Sequence, residues 1–479
     1  MTDDRYRSPL GTRYASPAMQ RLFGEPHRIA QWRRLWLALA EAERELGLDI
    51  PDEALAQIRA HLDDADLEVA ARYERRFRHD VMAHVHAFGE QAPAARAYLH
   101  LGATSAFVTD NADLVLMREA MRLLLGRLLA VLASLESFAR RWASLPTLAY
   151  THFQPAQLTT VGKRATLWAQ DFALDVEDLC HRIETLRFRG AQGTTGTQAS
   201  FLELFHGDHA KVRELERRVT AKLGFRDQFP VTGQTYPRKA DSHVVDVLSG
   251  IAQSAAKMAN DLRLLQHEGE LLEPFESEQI GSSAMAYKRN PMRAERINAL
   301  ARFVLSLQAN PPHTAATQWL ERTLDDSANR RLVLPEAFLA VDAILILVTN
   351  ILTGLEVREA VIARHVAEQM PFMATERWLM LGVEAGGDRQ TLHEVVRRHS
   401  LAVHEAVSRG EPNDLMDRLA ADPAFQAVPV AALRSELDPR RYVGRAPEQV
   451  GEFLDEFLRP LIERARPLAV QAETAEVRV

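Results

Sequence analysis

The sequence predicts an all-α protein built around a central bundle of long helices. Three observations carry that expectation. Apolar residues recur at alternating steps of three and four over Leu114, Met117, Met121, Leu124, Leu128, Val131, Leu135, Phe138 and Trp142, which is the seam of one long helix. The same alternation returns over Val244, Leu248, Ile251, Ala255, Met258, Leu262 and Leu265, and again over Phe338, Val341, Leu345, Val348, Leu352 and Leu355. Period-two runs of β-branched and aromatic residues, the mark of strands, are nearly absent, and aromatics make up only 7% of the chain.

Taken in order, residues 1–104 are expected to form an N-terminal domain of shorter helices. The first rod follows over 113–145, with Asp110, Asn111 and Asp113 read as its cap and first-turn charges and Pro146 as its stop. A weaker seam covers 161–183, and the rods together occupy a central domain at 105–357. A C-terminal domain of shorter helices fills 358–479, with turns at Gly386-Gly387 and Gly410-Glu411-Pro412. Several apolar seams on one chain expose more surface than the chain itself can cover, which predicts a homo-oligomer.

The rods also fix a distance. A helix over 113–145 spans roughly 50 Å at 1.5 Å per residue, so the polar loop at 101–105 and the one at 150–155 lie at opposite poles. The next helix returns the 190–200 loop to the first pole, and the 244–265 helix runs out again toward Ser282. A site that uses loops from both poles must then be shared between subunits.

Composition narrows the function. Of 479 residues, 47% are hydrophobic and 26% charged, the balance of a globular protein rather than a disordered one. Lys and Arg total 58 against 65 Asp and Glu, a net charge of −7, which excludes a general attraction for nucleic acid or an anionic membrane. Any anion site must be a local cluster. The single cysteine, Cys180, cannot form an intramolecular disulfide and fits a reducing, cytoplasmic setting. The N-terminus has no apolar run and the uncharged apolar stretch 343–355 has 13 residues, against roughly 20 for a bilayer, so neither a signal peptide nor a membrane span is expected.

Several loops concentrate reactive groups. The segment from Gly281 through Ser282, Ser283, Met285, Lys288 and Asn290 offers hydroxyls, cations and an amide between two helices, and such a loop can close over an anion. His152 can serve as acid or base near neutral pH, or as a structural histidine. The run Arg75, Arg76, Arg78, His79 and Asp80 reads as a solvated helix face or a phosphate grip. The glycine- and threonine-rich stretch 190–200 reads as a flexible loop or an anion nest, but matches neither a P-loop nor a dinucleotide fingerprint. The mixed-charge patch 321–331 reads as a salt-bridged surface or as guanidinium forks for a phosphate. His79, His84 and His86 do not match a zinc-helix spacing, so no metal is expected.

At these loops the sequence resembles the fumarase/aspartase superfamily and, within it, the adenylosuccinate lyase family. The superfamily signature G-S-S-x-M-x-x-K-x-N is met at Gly281 to Asn290. Accompanying elements appear as Thr104-Ser105 with Asp110-Asn111 and at 193–200, and further matches lie at 12–17, 78–84, 151–164 and 321–331. The resemblance implies a three-domain, all-α homotetramer whose long helices form one core and whose active sites each draw on three subunits. It implies elimination of fumarate from adenylosuccinate, giving AMP, and from the succinylocarboxamide intermediate of purine synthesis (SAICAR), giving AICAR, with no metal or organic cofactor.

Residue by residue, the resemblance assigns Ser282 as general base, His152 as general acid and Glu295 as the group orienting His152. Lys288, Asn290, Thr104 and Ser105 match the positions that stabilise the carbanion intermediate, whose charge is pushed into a carboxyl group. For the nucleotide, it assigns Arg13, Tyr14, Arg78, His79, Asp80, Gln234, Arg296, Arg322, Ser327 and Arg331. One departure is visible: Ala286 stands where the signature usually carries proline, removing a fixed φ from the loop. A scaffold without turnover, and a superfamily lyase acting on argininosuccinate, malate or aspartate, are the rival readings. Intact His152, Ser282, Lys288 and Glu295 oppose the first, and the Arg13, Arg78, Arg322 and Arg331 set opposes the second.

Overall fold

The computed structural model describes residues 5–276 and 278–471; the outer ends of the first and third expected domains lie outside them. In the N-terminal part, α1 (Glu25–Glu45), α2 (Leu67–Phe77) and α3 (Asp80–Gln91) precede the longest rod, α4 (Ser105–Arg141). A hairpin of β1 (Pro146–Thr151) and β2 (Gln154–Thr160) leads into α5 (Val161–Thr185), followed by α6 (His209–Lys222) and α7 (Lys239–His267). After the short strand β3 (Leu271–Leu272) come α8 (Met292–Leu307), α9 (Asp326–Gly354) and β4 (Glu356–Val357), which pairs with β3. Shorter helices, including α10 (Glu359–Met373) and α11 (Arg389–Ser408), complete the chain.

The rods form where the period places them, because their seams are buried: Leu114, Leu124, Leu128, Leu135, Val244, Leu248, Ile251, Phe338, Leu345 and Val348 are all solvent-free. α4 packs on α5 and α9, α7 packs on α5 and α8, and α8 packs on α9. At 37 residues α4 spans about 55 Å. The starts of α4, α7 and α9 meet at one pole, where Arg238 bridges Asp110 at 3.0 Å and Asp326 at 2.7 Å. At the other pole, the Gln266 side chain near the end of α7 donates to the Arg289 carbonyl at 3.1 Å, and Thr147 of β1 reaches Glu270 at 3.4 Å.

Three expectations need correction. α4 begins eight residues before Asp113, at Ser105, so Asp110, Asn111 and Asp113 are not caps but interior residues. Asp110 and Asn111 are buried on the helix's inner face and bond to other segments: the Asn111 amide donates to the Gly190 carbonyl at 3.1 Å and accepts from the Arg189 and Gly190 N–H groups. The 150–155 segment is the tip of the β1–β2 hairpin rather than a plain loop. Its turn residues His152 and Phe153 both have positive φ, 54° and 57°, the geometry of a tight two-residue hairpin. α9 starts at Asp326, so half of the mixed-charge patch is helix. α9 is also long and apolar enough, by length and composition alone, to cross a membrane, but 72% of its most apolar window is buried in the bundle. Midway along it, buried Asp342 pairs with Arg127 and accepts from the Ser16 N–H at 2.6 Å.

Candidate active site

At the first pole a cavity of about 650 Å³ gathers Arg78, His79, Asp80, Ser105, Gln234, Arg322, Ser327 and Arg331. α2 ends in Arg78, held left-handed at φ 57°, so the chain turns sharply and presents Arg78, His79 and Asp80 together. His79 caps α3: its Nδ1 accepts from the Met82 N–H at 3.3 Å, which leaves the proton on Nε2, 3.2 Å from the Ser105 hydroxyl. Thr104, the residue preceding α4, adjoins Ser105. Arg331 reaches Asp80 at 3.3 Å, and Arg322 reaches Asp326 at 2.9 Å.

The cavity's floor is a buried ion network that sequence reasoning assigned only in part. Arg238 lies between Asp110 and Asp326, and Arg330 between Asp241 at 2.6 Å and Asp113 at 3.0 Å. The Tyr236 hydroxyl donates to Asp241 at 2.6 Å and accepts from Arg330. Burial alone would raise the Asp110 carboxyl, but Arg238, Arg330 and Arg189 outweigh it and hold its pKa below the ordinary value. Such a network leaves little freedom to the side chains above it. Asp110 falls four residues before Leu114, on the apolar seam itself; a carboxylate at a seam position is the sign that a buried cation faces it.

The 190–200 stretch sits beside this cavity and is pinned from below. Arg189 donates to the Gln234 carbonyl at 2.7 Å and the Gly193 carbonyl at 2.9 Å, and the Gln234 side chain donates to the Thr194 carbonyl at 3.1 Å. Gly196 has φ 81° and an added Cβ would stand 1.8 Å from the Thr232 carbonyl, so only glycine fits. Beneath, Glu216 accepts from Gln192 and, at 3.3 Å, from Gln198; burial lifts its pKa to about 7. Thr194, Thr195 and Thr197 are left exposed at the tip.

The remaining residues lie elsewhere. Ser282, Lys288 and Asn290 occupy a segment at the second pole that is exposed from Ser283 to Arg289. Its neck is closed by the Asn290 amide donating to the Gly281 carbonyl at 2.8 Å, and a Cβ on Gly281 would fall 2.0 Å from the Lys288 carbonyl. The Ser282 Oγ accepts from the N–H groups of Ala284 at 3.3 Å and Met285 at 3.1 Å. Glu295, in the first turn of α8, lines a hollow beside the end of α7 with Gln266, His267 and Arg289. His152 stands at the hairpin tip, and among the described residues no hydrogen bond joins it to Glu295. Arg13, Tyr14 and Arg296 form a third group, the two guanidinium carbons lying 6.0 and 5.5 Å from the Tyr14 ring centre. Arg75 and Arg76 are exposed on α2. His84 is buried edge-on to Trp32 at 5.4 Å, with burial and then Arg33 driving its pKa down to about 4, and His86 stacks on Tyr73 at 5.2 Å.

Comparison with known proteins gives this arrangement a family. Residues 25–305 match the family model described as "Lyase", and residues 371–453 the one described as "Adenylosuccinate lyase C-terminus". The chain is 51% identical to an adenylosuccinate lyase of Saccharomyces cerevisiae and 50% identical to one of Schizosaccharomyces pombe, with 94% of each chain covered in both cases. A third, from Schistosoma mansoni, is 47% identical over 96% of both chains. Among solved structures, a 3-carboxy-cis,cis-muconate lactonizing enzyme from Pseudomonas putida superposes with a TM-score of 0.79 at 23% identity, covering 95% of this chain and 99% of that one, which shows the shared fold. A fumarate lyase from Mesorhizobium sp. BNC1 gives 0.77 at 25% identity, covering 92% and 98%. With both halves of the molecule matched and its relatives aligned almost end to end, the chain belongs to the adenylosuccinate lyase family.

Proposed function

We propose that the chain eliminates fumarate from adenylosuccinate and from SAICAR, as a cytoplasmic homotetramer whose active sites are shared between subunits. One observation carries the reading: within a chain, the arginine-lined cavity and the Ser282 segment are held apart by the length of α4. A phosphate grip and an acid–base pair that act on one small molecule must then come from different copies, and the antiparallel course of the rods supports that meeting.

In this reading the cavity holds the nucleotide by Arg78, His79, Asp80, Gln234, Arg322, Ser327 and Arg331, with Arg13, Tyr14 and Arg296 supplied from another copy. Ser282, as the alkoxide, removes the proton from the succinyl carbon. Its two main-chain N–H partners are the donors an oxyanion needs. Charge passes into the adjacent carboxyl group, where Lys288, Asn290, Thr104 and Ser105 stabilise it. The carbon–nitrogen bond then breaks, the carbon–carbon double bond of fumarate forms, and His152, oriented by Glu295, protonates the departing nitrogen. A serine hydroxyl is a weak base, so closure of the exposed segment over the substrate, excluding water and gathering cations, supports its ionisation.

The test is complementation. Ser282→Ala and His152→Ala should each lower kcat at least about a thousandfold in fumarate release, at the upper range for removing an acid or base, with the assembly intact. Exchanging subunits between Ser282→Ala and the cavity variant Arg322→Ala/Arg331→Ala should return about a quarter of wild-type activity, the fraction of sites with both parts intact. Full activity in either single variant overturns the assignment. No recovery after proven exchange overturns the sharing.

A further inference from the structure

A second cavity of about 520 Å³ lies outside the site just described, between the end of α5 and the start of α7. Its basic lining consists of His181, Arg182, Arg187, Arg226, Lys239 and His243. Glu184 and Asp227 are its acids, and Asp227 is engaged by Arg226 at 2.8 Å. The floor is fixed by main-chain bonds, Phe188 N–H to the Asp227 carbonyl at 3.0 Å and Phe229 N–H to the Phe188 carbonyl at 2.8 Å. The two cavities share no lining residue: Pro237 and Lys239 face this one, and Arg238 between them faces the other.

The contrast in pairing is what points to a ligand. In the nucleotide cavity the floor and wall arginines Arg238, Arg322, Arg330 and Arg331 each have a carboxylate partner, and only Arg28 and Arg78 stand without one among the described residues. Here the Arg187 and Lys239 side chains are exposed and, among the described residues, take part in no hydrogen bond or ion pair, while the Arg182 Nε is buried without an acceptor. Burial, then Arg182 and Lys239, lower the pKa of His243, with Asp246 opposing; two cations thus bear on the same space. Asp178 and Asp246 act on Arg182 at longer range without bonding to it. The 29-residue helix α7 adds the positive end of its dipole at Lys239. The lining itself carries Arg182, Arg187, Arg226 and Lys239 against Glu184 and Asp227 on a chain whose net charge is −7, so its excess of cations is not a reflection of composition.

We propose that this cavity binds a small phosphoryl-bearing anion, at a site separate from the nucleotide cavity. Guanidinium forks and a lysine beside a helix start are the groups that take phosphoryl oxygens, and the volume falls in the range of small-molecule pockets. A phosphomonoester and a polyphosphate share that chemistry.

Calorimetric titration of the full-length protein with tripolyphosphate and with inorganic phosphate separates them and tests the site without relying on turnover. Tripolyphosphate should bind the wild type and Arg322→Ala/Arg331→Ala alike, and Arg187→Ala/Lys239→Ala should weaken it at least about tenfold, the loss expected for charge-assisted bonds. Inorganic phosphate following the same pattern assigns a monophosphate subsite, and tripolyphosphate alone following it assigns a polyphosphate one. Lys239→Gln reads the same loss should the double variant melt early. Absence of millimolar binding, or binding lost with Arg322 and Arg331 but kept without Arg187 and Lys239, overturns the proposal. So does a smaller assembly on sedimentation of Arg187→Ala/Lys239→Ala, because the cations would then face a partner chain.

Discussion

At the pole where α4, α7 and α9 begin, the charged side chains of the cavity floor are buried and paired before any ligand arrives. At the opposite pole, the Gly281–Asn290 segment reaches into solvent and is held only at its neck, by the Asn290 and Gln266 side chains and the Arg289–Glu356 ion pair. The first arrangement suits binding, since a substrate meets guanidinium groups whose positions are already fixed by Asp80, Asp110 and Asp326. The second suits chemistry that must wait, since on the proposed assignment Ser282 gains basicity only where water is excluded and cations have gathered. Damage at the first pole should therefore appear in stability and KM, and damage at the second in kcat.

The largest effect is expected at Asp326. Its carboxylate is buried and accepts from both Arg238 and Arg322, so Asp326→Ala leaves two cations without a shared partner. Loss of one member of a buried ion network costs about 3–5 kcal/mol, which denaturant unfolding should read together with loss of nucleotide binding. A stable variant with normal KM would mean the network does not organise the cavity. Next comes Gly281→Ala at the other pole, where the new Cβ displaces the Lys288 carbonyl. Misplacing the loop by about 1 Å should lower kcat roughly a hundredfold, while AMP binding and unfolding midpoint stay near wild type. A fall in AMP affinity instead would erase the division between poles.

The two poles were not equally legible in the sequence. The rods announce themselves because a seam of alternating three and four steps is local, and the exposed serine segment keeps its reactive groups within ten residues, where a pattern can find them. The ion network is different: Arg238 and Asp326 are 88 positions apart and Arg330 and Asp241 are 89 apart, so nothing local pairs them. The misplaced start of α4 has the same cause. Asp110 and Asn111 look like capping residues until their partners Arg238 and Gly190 are seen across the bundle. The hairpin escaped because most of β2 is exposed and carries no apolar alternation, with Gln154, Pro155, Ala156 and Gln157 all facing solvent. Its tip geometry rests on two left-handed residues, neither of them glycine, which removes the usual turn signature.

A smaller effect separates the cavity's rim from its floor. Arg331 is more than half exposed and meets Asp80 at 3.3 Å, so its removal leaves no buried charge behind. Arg331→Ala should raise KM about tenfold, the worth of one charge-assisted bond to a phosphate, with kcat and unfolding midpoint little changed. Steady-state kinetics decide it: a matching loss in kcat would place Arg331 in the transition state rather than in binding.

The smallest and most pointed test concerns Ala286. The Lys288 N–H donates to the Met285 carbonyl at 3.1 Å, a turn in which Ala286 takes the second position, where proline is favoured because its ring fixes the φ the turn requires. Ala286→Pro should therefore restrict the exposed segment without disturbing its neck. The gain from fewer unconstrained conformations is about 0.4–1 kcal/mol, too little to move nucleotide affinity at the far pole. It is enough to raise kcat up to about fivefold if ordering of the segment precedes proton removal. A change confined to KM would show that the segment contributes to holding the substrate, and that the two poles share the work which their burial and pairing divide.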